Sequence, residues 1–325
     1  MAYFAGSHVL DAMTAKVPMP SAAMKRRAFR EQLLSSKPIF APGVYDGFGL
    51  RILERFEVDA AYISGNAVSA CLLGEPDVGL VDLTLLADHL GRLNQCSRLP
   101  LICDADTGYG SVVNIRRTVR ALEAAGVCAI HIEDQITPKR CAQLPGARAV
   151  LGHREAVHRI AAACEARLDS DAPLVIVGRT DAAASLGLDA AIARAKDFIK
   201  AGAEAIFIEL KSSPELLDQI RSAAKELQTP CMVNMSIDTR LMALPAHDWL
   251  GHGVSIGIFP ALARASFGHA LKANLDRLRL GDIDGLQQHS LSAQDYADIL
   301  GINEIEQWEQ QFGVDSPDAP PPRKP

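Results

Sequence analysis

The sequence predicts an α/β fold, a (β/α)8 TIM barrel with one helix ahead of it, and three observations carry that expectation. Eight short apolar runs recur along the chain, helical patterns separate them, and charged residues gather at one end of the runs. The runs cover 39–45, 60–64, 101–104, 129–133, 174–179, 205–209, 231–234 and 254–259. They are rich in Ile and Val and lack strict alternation, as strands covered on both faces do. Eight strand–helix units in about 240 residues match the usual size of such a barrel. A doubly wound open sheet is the rival, which the number of strands leaves standing.

In chain order, residues 1–36 read as an irregular lead followed by an amphipathic helix over 21–34, with Ser21 as its N-cap. Between the runs, helices are expected over 83–96 after the cap-like Asp82, 115–125, 155–167, 188–201 and 214–227. Gly126 and Gly202 act as stop signals. Residues 125–133 and 201–209 echo each other as helix stop, strand and terminal Glu. Two such units in any barrel look alike, so the echo is weighed for its Glu placement rather than for ancestry. A helix over 261–280 closes the 37–280 catalytic domain. Two more are expected in a 281–315 appendage, anchored by Tyr296, Ile299, Leu300, Ile302 and Trp308 on the barrel or on a partner subunit. The five-proline tail, 316–325, reads as disordered.

Composition narrows the function classes. The chain has 325 residues, 48% hydrophobic and 22% charged, which suits a large soluble domain. Its formal charge is -6 and its longest basic run is Lys25-Arg26-Arg27, so nucleic acid is not an expected partner. No apolar segment approaches the roughly 20 residues that span a bilayer. Asp11 and the lack of a charged n-region argue against a secretory signal, and a cytoplasmic location is expected. An Arg-rich presequence within residues 1–36 is the minor alternative. Seven cysteines without CxxC spacing argue against a disulfide framework or structural zinc. Cys103, Cys128 and Cys231 sit in apolar runs as small buried hydrophobes. Cys141 lies instead among Pro138, Lys139, Arg140, Gln143, Pro145 and Gly146, where local positive charge favours thiolate.

The strand ends carry the chemistry: Asp46, Ser64-Gly65-Asn66, Asp104, Asp106, Glu133, Asp134, Arg179-Thr180-Asp181, Glu209 and Asn234. So many buried carboxylates call for a cation. Oxygen-only donors favour Mg2+, with Mn2+ as the alternative, over zinc. Asp104 and Asp106, if extended, are read as facing opposite ways, one ligating directly and the other through water or a turn. Arg179 either makes a structural ion pair with Glu133 or Glu209, or offers its planar fork to a substrate carboxylate. Ser64-Gly65-Asn66 reads equally as an anion-binding nest or as an ordinary tight turn. His131 is expected to be packed and hydrogen-bonded.

Beyond residue 36 the chain resembles the isocitrate lyase/phosphoenolpyruvate mutase superfamily. The landmarks are Tyr62-Ile63-Ser64-Gly65, Gly74-Glu75-Pro76-Asp77-Val78-Gly79, Asp104-Ala105-Asp106-Thr107-Gly108-Tyr109-Gly110, Asn114 through Thr118, Glu133-Asp134-Gln135, Pro138-Lys139-Arg140-Cys141, Arg179-Thr180-Asp181-Ala182 and Ile206-Phe207-Ile208-Glu209. The resemblance implies a barrel with Mg2+ held by Asp104, Asp106 and Glu133, and a loop over about 137–148 that closes on a small carboxylate. It also implies a homodimer or homotetramer exchanging a C-terminal helix. Tyr62, Ser64, Gly65, Asn66, Asp104, Arg179 and Asn234 would bind substrate; Cys141, Lys139, Arg179 and Glu209 would serve catalysis.

The carbon–carbon lyases of the superfamily carry a Lys-Lys/Arg-Cys-Gly-His loop whose cysteine protonates the carbanion left by cleavage. Mutases and phosphonate hydrolases have other residues there. Here the loop reads Lys139-Arg140-Cys141-Ala142-Gln143, which keeps the thiol and replaces the glycine and histidine. Asn-Ile-Thr-Glu appears as Asn234-Met235-Ser236-Ile237. Arg264 is offset by about one position from a distal arginine of the methylisocitrate lyases, and Ala293 falls near another. Fewer cationic partners imply a smaller or less charged acid than a tricarboxylate. The resemblance thus implies cleavage of a 2-hydroxy di- or tricarboxylate of substituted malate or methylisocitrate type. An oxaloacetate decarboxylase or hydrolase is the enzymatic rival, and a catalytically weak acid-binding relative is the other.

Overall fold

A computed structural model describes residues 19–141, 144 and 148–313. Within it, β1 (Ile39–Val44), β2 (Ala61–Ile63), β3 (Leu101–Asp104), β4 (Ala129–Glu133), β5 (Val175–Thr180), β6 (Ala205–Ile208), β7 (Cys231–Asn234) and β8 (Ile256–Phe259) follow one another around a closed barrel. Every neighbouring pair is parallel, and β8 returns to β1 with Ile39 opposite Ile256 and Pro42 opposite Phe259. Closure excludes the open-sheet rival.

The two-residue period of a strand sorts each run into two layers. In β4, Ala129 and His131 point into the barrel while Ile130 and Ile132 join the outer layer. The inner layer collects Ile39, Ala41, Tyr62, Ile102, Val175, Val177, Phe207, Met232, Ile256 and Ile258. Ile63, Cys103, Ile176 and Ile206 face the helices, where they meet Leu86, Leu90, Ile115, Leu122, Ile160 and Phe198. Counting on by twos from the inner layer reaches Ser64, Asp104, Glu133, Arg179, Glu209 and Asn234. Polar chemistry is therefore delivered to the barrel mouth by the same alternation that fills its interior.

The surrounding helices are α1 (Ala22–Leu33), α2 (Gly47–Leu53), α3 (Gly65–Leu72), α4 (Leu83–Cys96), α5 (Val112–Ala124), α6 (His153–Glu165), α7 (Ala183–Leu186), α8 (Leu188–Lys200), α9 (Leu216–Leu227), α10 (Thr239–Met242) and α11 (Leu262–Leu280). The Asp82 side chain accepts from Leu85 N, and the Ser21 hydroxyl accepts from Met24 N, as their cap positions suggest. Asp46 departs from its expected place in the site. It caps α2, accepting from Gly49 N at 2.6 Å. No apolar period announces α2 or α3, because each is short and glycine sits at its first turn.

Helix α1 lies across the N-terminal end of the barrel rather than apart from it. Phe29 and Leu33 enter the inner layer. Lys25 Nζ donates to Asn94 O at 3.0 Å, Arg26 Nε donates to Ala172 O at 2.6 Å, and Arg30 pairs with Glu204. At the other end of the chain, three helices follow α11 where two were expected: α12 (Ile283–Gln288), α13 (Ala293–Leu300) and α14 (Ile302–Phe312). Gly301, at φ +75°, separates α13 from α14. Ile299 is buried, and Tyr296 meets Phe48 of α2 with ring centroids 5.7 Å apart. Leu300, Trp308 and Phe312 stay exposed, as do Phe267, Leu271, Leu275 and Leu278 of α11. The 316–325 tail lies outside the described residues. Among those described, no helix is long and apolar enough to cross a membrane.

The closing seam between β1 and β8 gives a direct test of the packing. A Cβ on Gly43 would lie 2.5 Å from Phe259 O and 2.7 Å from Pro260 O, both backbone atoms that cannot swing aside. Gly43→Ala is expected to cost about 1–3 kcal/mol, the usual penalty of overpacking. Urea denaturation reads this as a lower midpoint, and an unchanged midpoint would show that the seam yields.

Candidate active site

The barrel mouth holds a pocket lined by Tyr62, Ser64, Asn66, Asp104, Glu133, Lys139, Cys141, Arg179, Glu209 and Asn234 among others. These include every residue expected to bind substrate, serve catalysis or hold the metal except Gly65 and Asp106; of the other strand-end candidates, Asp46, Asp134, Thr180 and Asp181 do not line it. Gly65 begins α3 directly beneath the pocket, so the Ser64-Gly65-Asn66 stretch is a helix start rather than a free-standing turn. Its N–H lies 3.4 Å from Asp104 Oδ2. A Cβ at Gly65 would come within 3.2 Å of both Asp104 Oδ2 and Asp106 Oδ1, so a larger residue here would press on the two carboxylates.

The expected splitting of Asp104 and Asp106 does not occur. Residues two apart on a strand share a face, and Asp106 adopts φ +48°, turning the chain as β3 ends. Its N–H donates to Asp104 Oδ1 at 3.1 Å. Burial alone would raise the Asp104 carboxyl, but the His131 ring, Lys139 and Arg179 hold it below the ordinary carboxylate range. Asp106 behaves oppositely: burial pushes it up to about 7, with Lys139 only partly offsetting the repulsion from Asp104 and Asp77.

Two buried cations organise the remaining carboxylates. Lys139 Nζ sits 2.6 Å from Asp77 Oδ1 and 2.6 Å from Asp106 Oδ1. Burial opposes its charge, yet Asp106, Asp104 and Asp77 outweigh that and hold the ammonium above its ordinary value. Arg179 reaches Glu133 Oε2 at 3.0 Å, Asp181 Oδ1 at 2.9 Å and Glu209 Oε2 at 3.5 Å, with its guanidinium 5.0 Å from the Phe207 ring centre. The ion pairs offered for Arg179 are present, and Asp181, one of the strand-end residues, is a third partner not foreseen for it. Burial raises Glu133 well above its ordinary range and Glu209 to about 7, in both cases against the pull of Arg179.

His131 is fully buried as expected, with Nε2 2.8 Å from Tyr62 OH and Nδ1 3.5 Å from Asp104 Oδ1. Burial lowers it to about 4, so the ring is neutral at pH 7 and charged only in the acid range where Asp104 titrates. The buried thiols also behave as expected: desolvation lifts Cys128 to about 11 and Cys231 to about 12. Cys141 differs from them. It is half-buried at the pocket, its N–H donates to Asp77 O at 3.3 Å, and Asn66 Nδ2 donates to its Sγ at 3.2 Å. Arg140 N donates to Gln135 Oε1 at 3.0 Å, and Gln135 Nε2 donates to Asp181 Oδ2 at 2.9 Å, tying this loop to β5. Ala142 and Gln143, where the loop departs from the lyase pattern, lie outside the described residues.

The donor chemistry suits a hard divalent cation, since Asp104, Asp106 and Glu133 offer only oxygen. Glu133 Oε1 is a buried acceptor with no hydrogen-bond partner among the described residues. The three are not gathered at direct-ligand spacing, however. No group of three His, Cys, Asp or Glu side chains among the described residues is placed to hold an ion. Lys139 occupies Asp106 and Arg179 occupies Glu133, which leaves Asp104 beside Asp106 as the core of the expected set.

Asp77 and Arg264 line the pocket although the sequence reading gave neither a role there. Asp77 lies on the loop after α3, far from any strand end, although its Gly74–Gly79 stretch was conspicuous. Arg264, apparently out of register, is turned into the pocket by the first turn of α11. Ala293 opens α13 and does not line the pocket. Ile237, where a carboxylate was expected, packs against the apolar cluster of Leu216, Ile220, Val233 and Met235.

Comparison with known proteins gives a family and a fold in common with several of them. The family described as phosphoenolpyruvate phosphomutase matches residues 29–277. The chain is 34% identical over 289 residues to 2,3-dimethylmalate lyase of Eubacterium barkeri, covering 88% of this chain and 97% of that protein. It is 35% identical over 281 residues to 2-methylisocitrate lyase of Aeropyrum pernix, covering 85% and 87%. A trigonal crystal structure of 2,3-dimethylmalate lyase superposes with a TM-score of 0.79 at 30% identity, covering 93% of this chain and 98% of that one.

Proposed function

Because this chain belongs to the phosphoenolpyruvate phosphomutase family, within the superfamily that includes isocitrate lyase, we propose that its barrel mouth is the active site of a Mg2+-dependent carbon–carbon lyase. The substrate class is a 2-hydroxy di- or tricarboxylate of substituted malate or methylisocitrate type, cleaved to an oxo-acid and a carboxylate. The observation that carries this reading is the Cys141 thiol, held by Asn66 and Asp77 on the pocket that Asp104, Glu133 and Arg179 also line.

Asp104, Asp106 and Glu133 would hold the Mg2+, or Mn2+ in its place, and the bound ion would supply Lewis-acid polarisation of the substrate's oxygens. The chain's own residues do the rest. The first-turn amides of α3 at Ser64-Gly65-Asn66, the Tyr62 hydroxyl and the Asn234 amide orient the carboxylates. Arg264 adds a cation at the rim. The bond between the hydroxyl-bearing carbon and its neighbour breaks, the hydroxyl proton passes to a carboxylate lining the pocket, and a carbonyl forms. The electron pair left on the departing carbon takes the Cys141 proton: a C–H bond forms, an S–H bond breaks, and thiolate remains. Lys139 and Glu209 set the charge around that transfer. The exposed apolar faces of α11, α13 and α14 support a homodimer or homotetramer with exchanged C-terminal helices; a cytoplasmic location is part of the same proposal.

The test is a panel of alkylmalates, citramalate, methylisocitrate, isocitrate and oxaloacetate, assayed for released pyruvate, glyoxylate or oxalate. One hydroxy acid is expected to turn over with Mg2+, to stop with EDTA, and to recover when Mg2+ or Mn2+ is restored. Turnover of oxaloacetate alone would identify the decarboxylase or hydrolase instead. A silent panel that still yields binding would mark a small-acid-binding protein.

A further inference from the structure

We propose that Asn66 is the positioning residue of the Cys141 thiol, its side-chain amide acting as the donor that favours thiolate. This rests on the reading of Cys141 as the proton source. Asn66 Nδ2 lies 3.2 Å from Cys141 Sγ, a bond that joins the first turn of α3 to a loop 75 residues further along the chain. The loop does not need that bond to stay in place. Cys141 N is tied to Asp77 O at 3.3 Å, Arg140 N to Gln135 Oε1 at 3.0 Å, and Lys139 Nζ to Asp77 Oδ1 at 2.6 Å. The amide therefore acts on the sulfur and not on the fold of the loop.

The surroundings give that donor its purpose. Asp77, Asp104, Glu133 and Glu209 line the pocket, and they oppose a second negative charge on sulfur; Lys139, Arg140, Arg179 and Arg264 face them. Lys139 and Arg179 are already engaged by carboxylates. An N–H bond to neutral thiol is weak, whereas one to thiolate is charge-assisted and about twice as strong as a neutral one. The bond thus strengthens as the proton leaves sulfur for carbon, which is the kind of interaction that lowers a barrier rather than tightening the ground state.

The test follows alkylation of the Cys141 peptide by iodoacetamide against pH, in the full-length protein with Mg2+ supplied, with the exposed Cys71 as internal reference. Asn66→Ala is expected to raise the midpoint for Cys141 by about one pH unit, which slows labelling at neutral pH about tenfold. Asn66→Asp, nearly isosteric but with a carboxylate in place of the donor, is expected to raise it further. The Cys71 profile stays put in both. Two variants with native circular dichroism and an unmoved Cys141 midpoint would overturn the assignment. No substrate enters the measurement, so a failed lyase reading leaves this result independent.

Discussion

Cys141→Ser lowers turnover by about 10²–10⁴-fold, the range that a positioned general acid contributes, while the fold and the substrate dissociation constant stay close to wild type. The serine hydroxyl is a far weaker acid than a thiol, so the carbanion loses its proton source. The structural cost is small. Cys141 is half-buried on a loop whose backbone is held by Asp77 and whose neighbours are tied by Gln135 and Asp106. Substitutions at such places usually change stability by no more than about 0.5 kcal/mol. Steady-state kinetics beside a direct binding measurement separates the two effects. Undiminished turnover would remove the lyase mechanism, because nothing else in the pocket has been given that proton to donate.

Arg179→Met has the larger effect on the molecule as a whole. It abolishes activity and costs about 3–5 kcal/mol of stability, the usual result of removing one partner from a buried ion pair. Three carboxylates lose their shared cation at once: Glu133 at 3.0 Å, Asp181 at 2.9 Å and Glu209 at 3.5 Å. The pH dependence follows from Glu209, which burial already raises to about 7. A carboxyl that binds its proton more tightly when folded contributes stability below its unfolded pKa and loses it as pH rises through the folded value. Without Arg179 that folded value rises further. The variant's deficit is therefore smallest in mild acid and grows through neutral pH and above. Denaturant midpoints at pH 5, 7 and 8.5 measure this; a deficit independent of pH would show that packing over Phe207, not charge, is what Arg179 supplies.

Much of the barrel was legible because its strands are covered on both faces. β3, β4 and β7 begin and end where the apolar runs do, and α4 starts at its Asp82 cap. Site residues at strand ends were legible for the same reason, since Asp104, Glu133, Arg179 and Glu209 interrupt runs that are otherwise apolar. What escaped was long-range geometry. Asp46 looks like any strand-end carboxylate, and only its 2.6 Å bond from Gly49 N shows that it serves a helix. Asp77 and Arg264 come from a loop and from a helix start, where sequence carries no sign of direction. Lys139 was expected to serve catalysis beside Cys141; its two 2.6 Å contacts, which the sequence did not reveal, also place it between Asp77 and Asp106.

The layering of the strands also constrains how this protein can change over time. Loop residues such as Arg140 and Cys141 lie outside every strand, so the chemistry at the mouth is open to point substitution. A one-residue insertion or deletion inside β6 is another matter. It would leave every side chain chemically intact yet turn Glu209 toward the helices and bring Ile208 to the mouth. The site is written in a frame of two, and a frameshift within a strand would erase it more thoroughly than most single replacements.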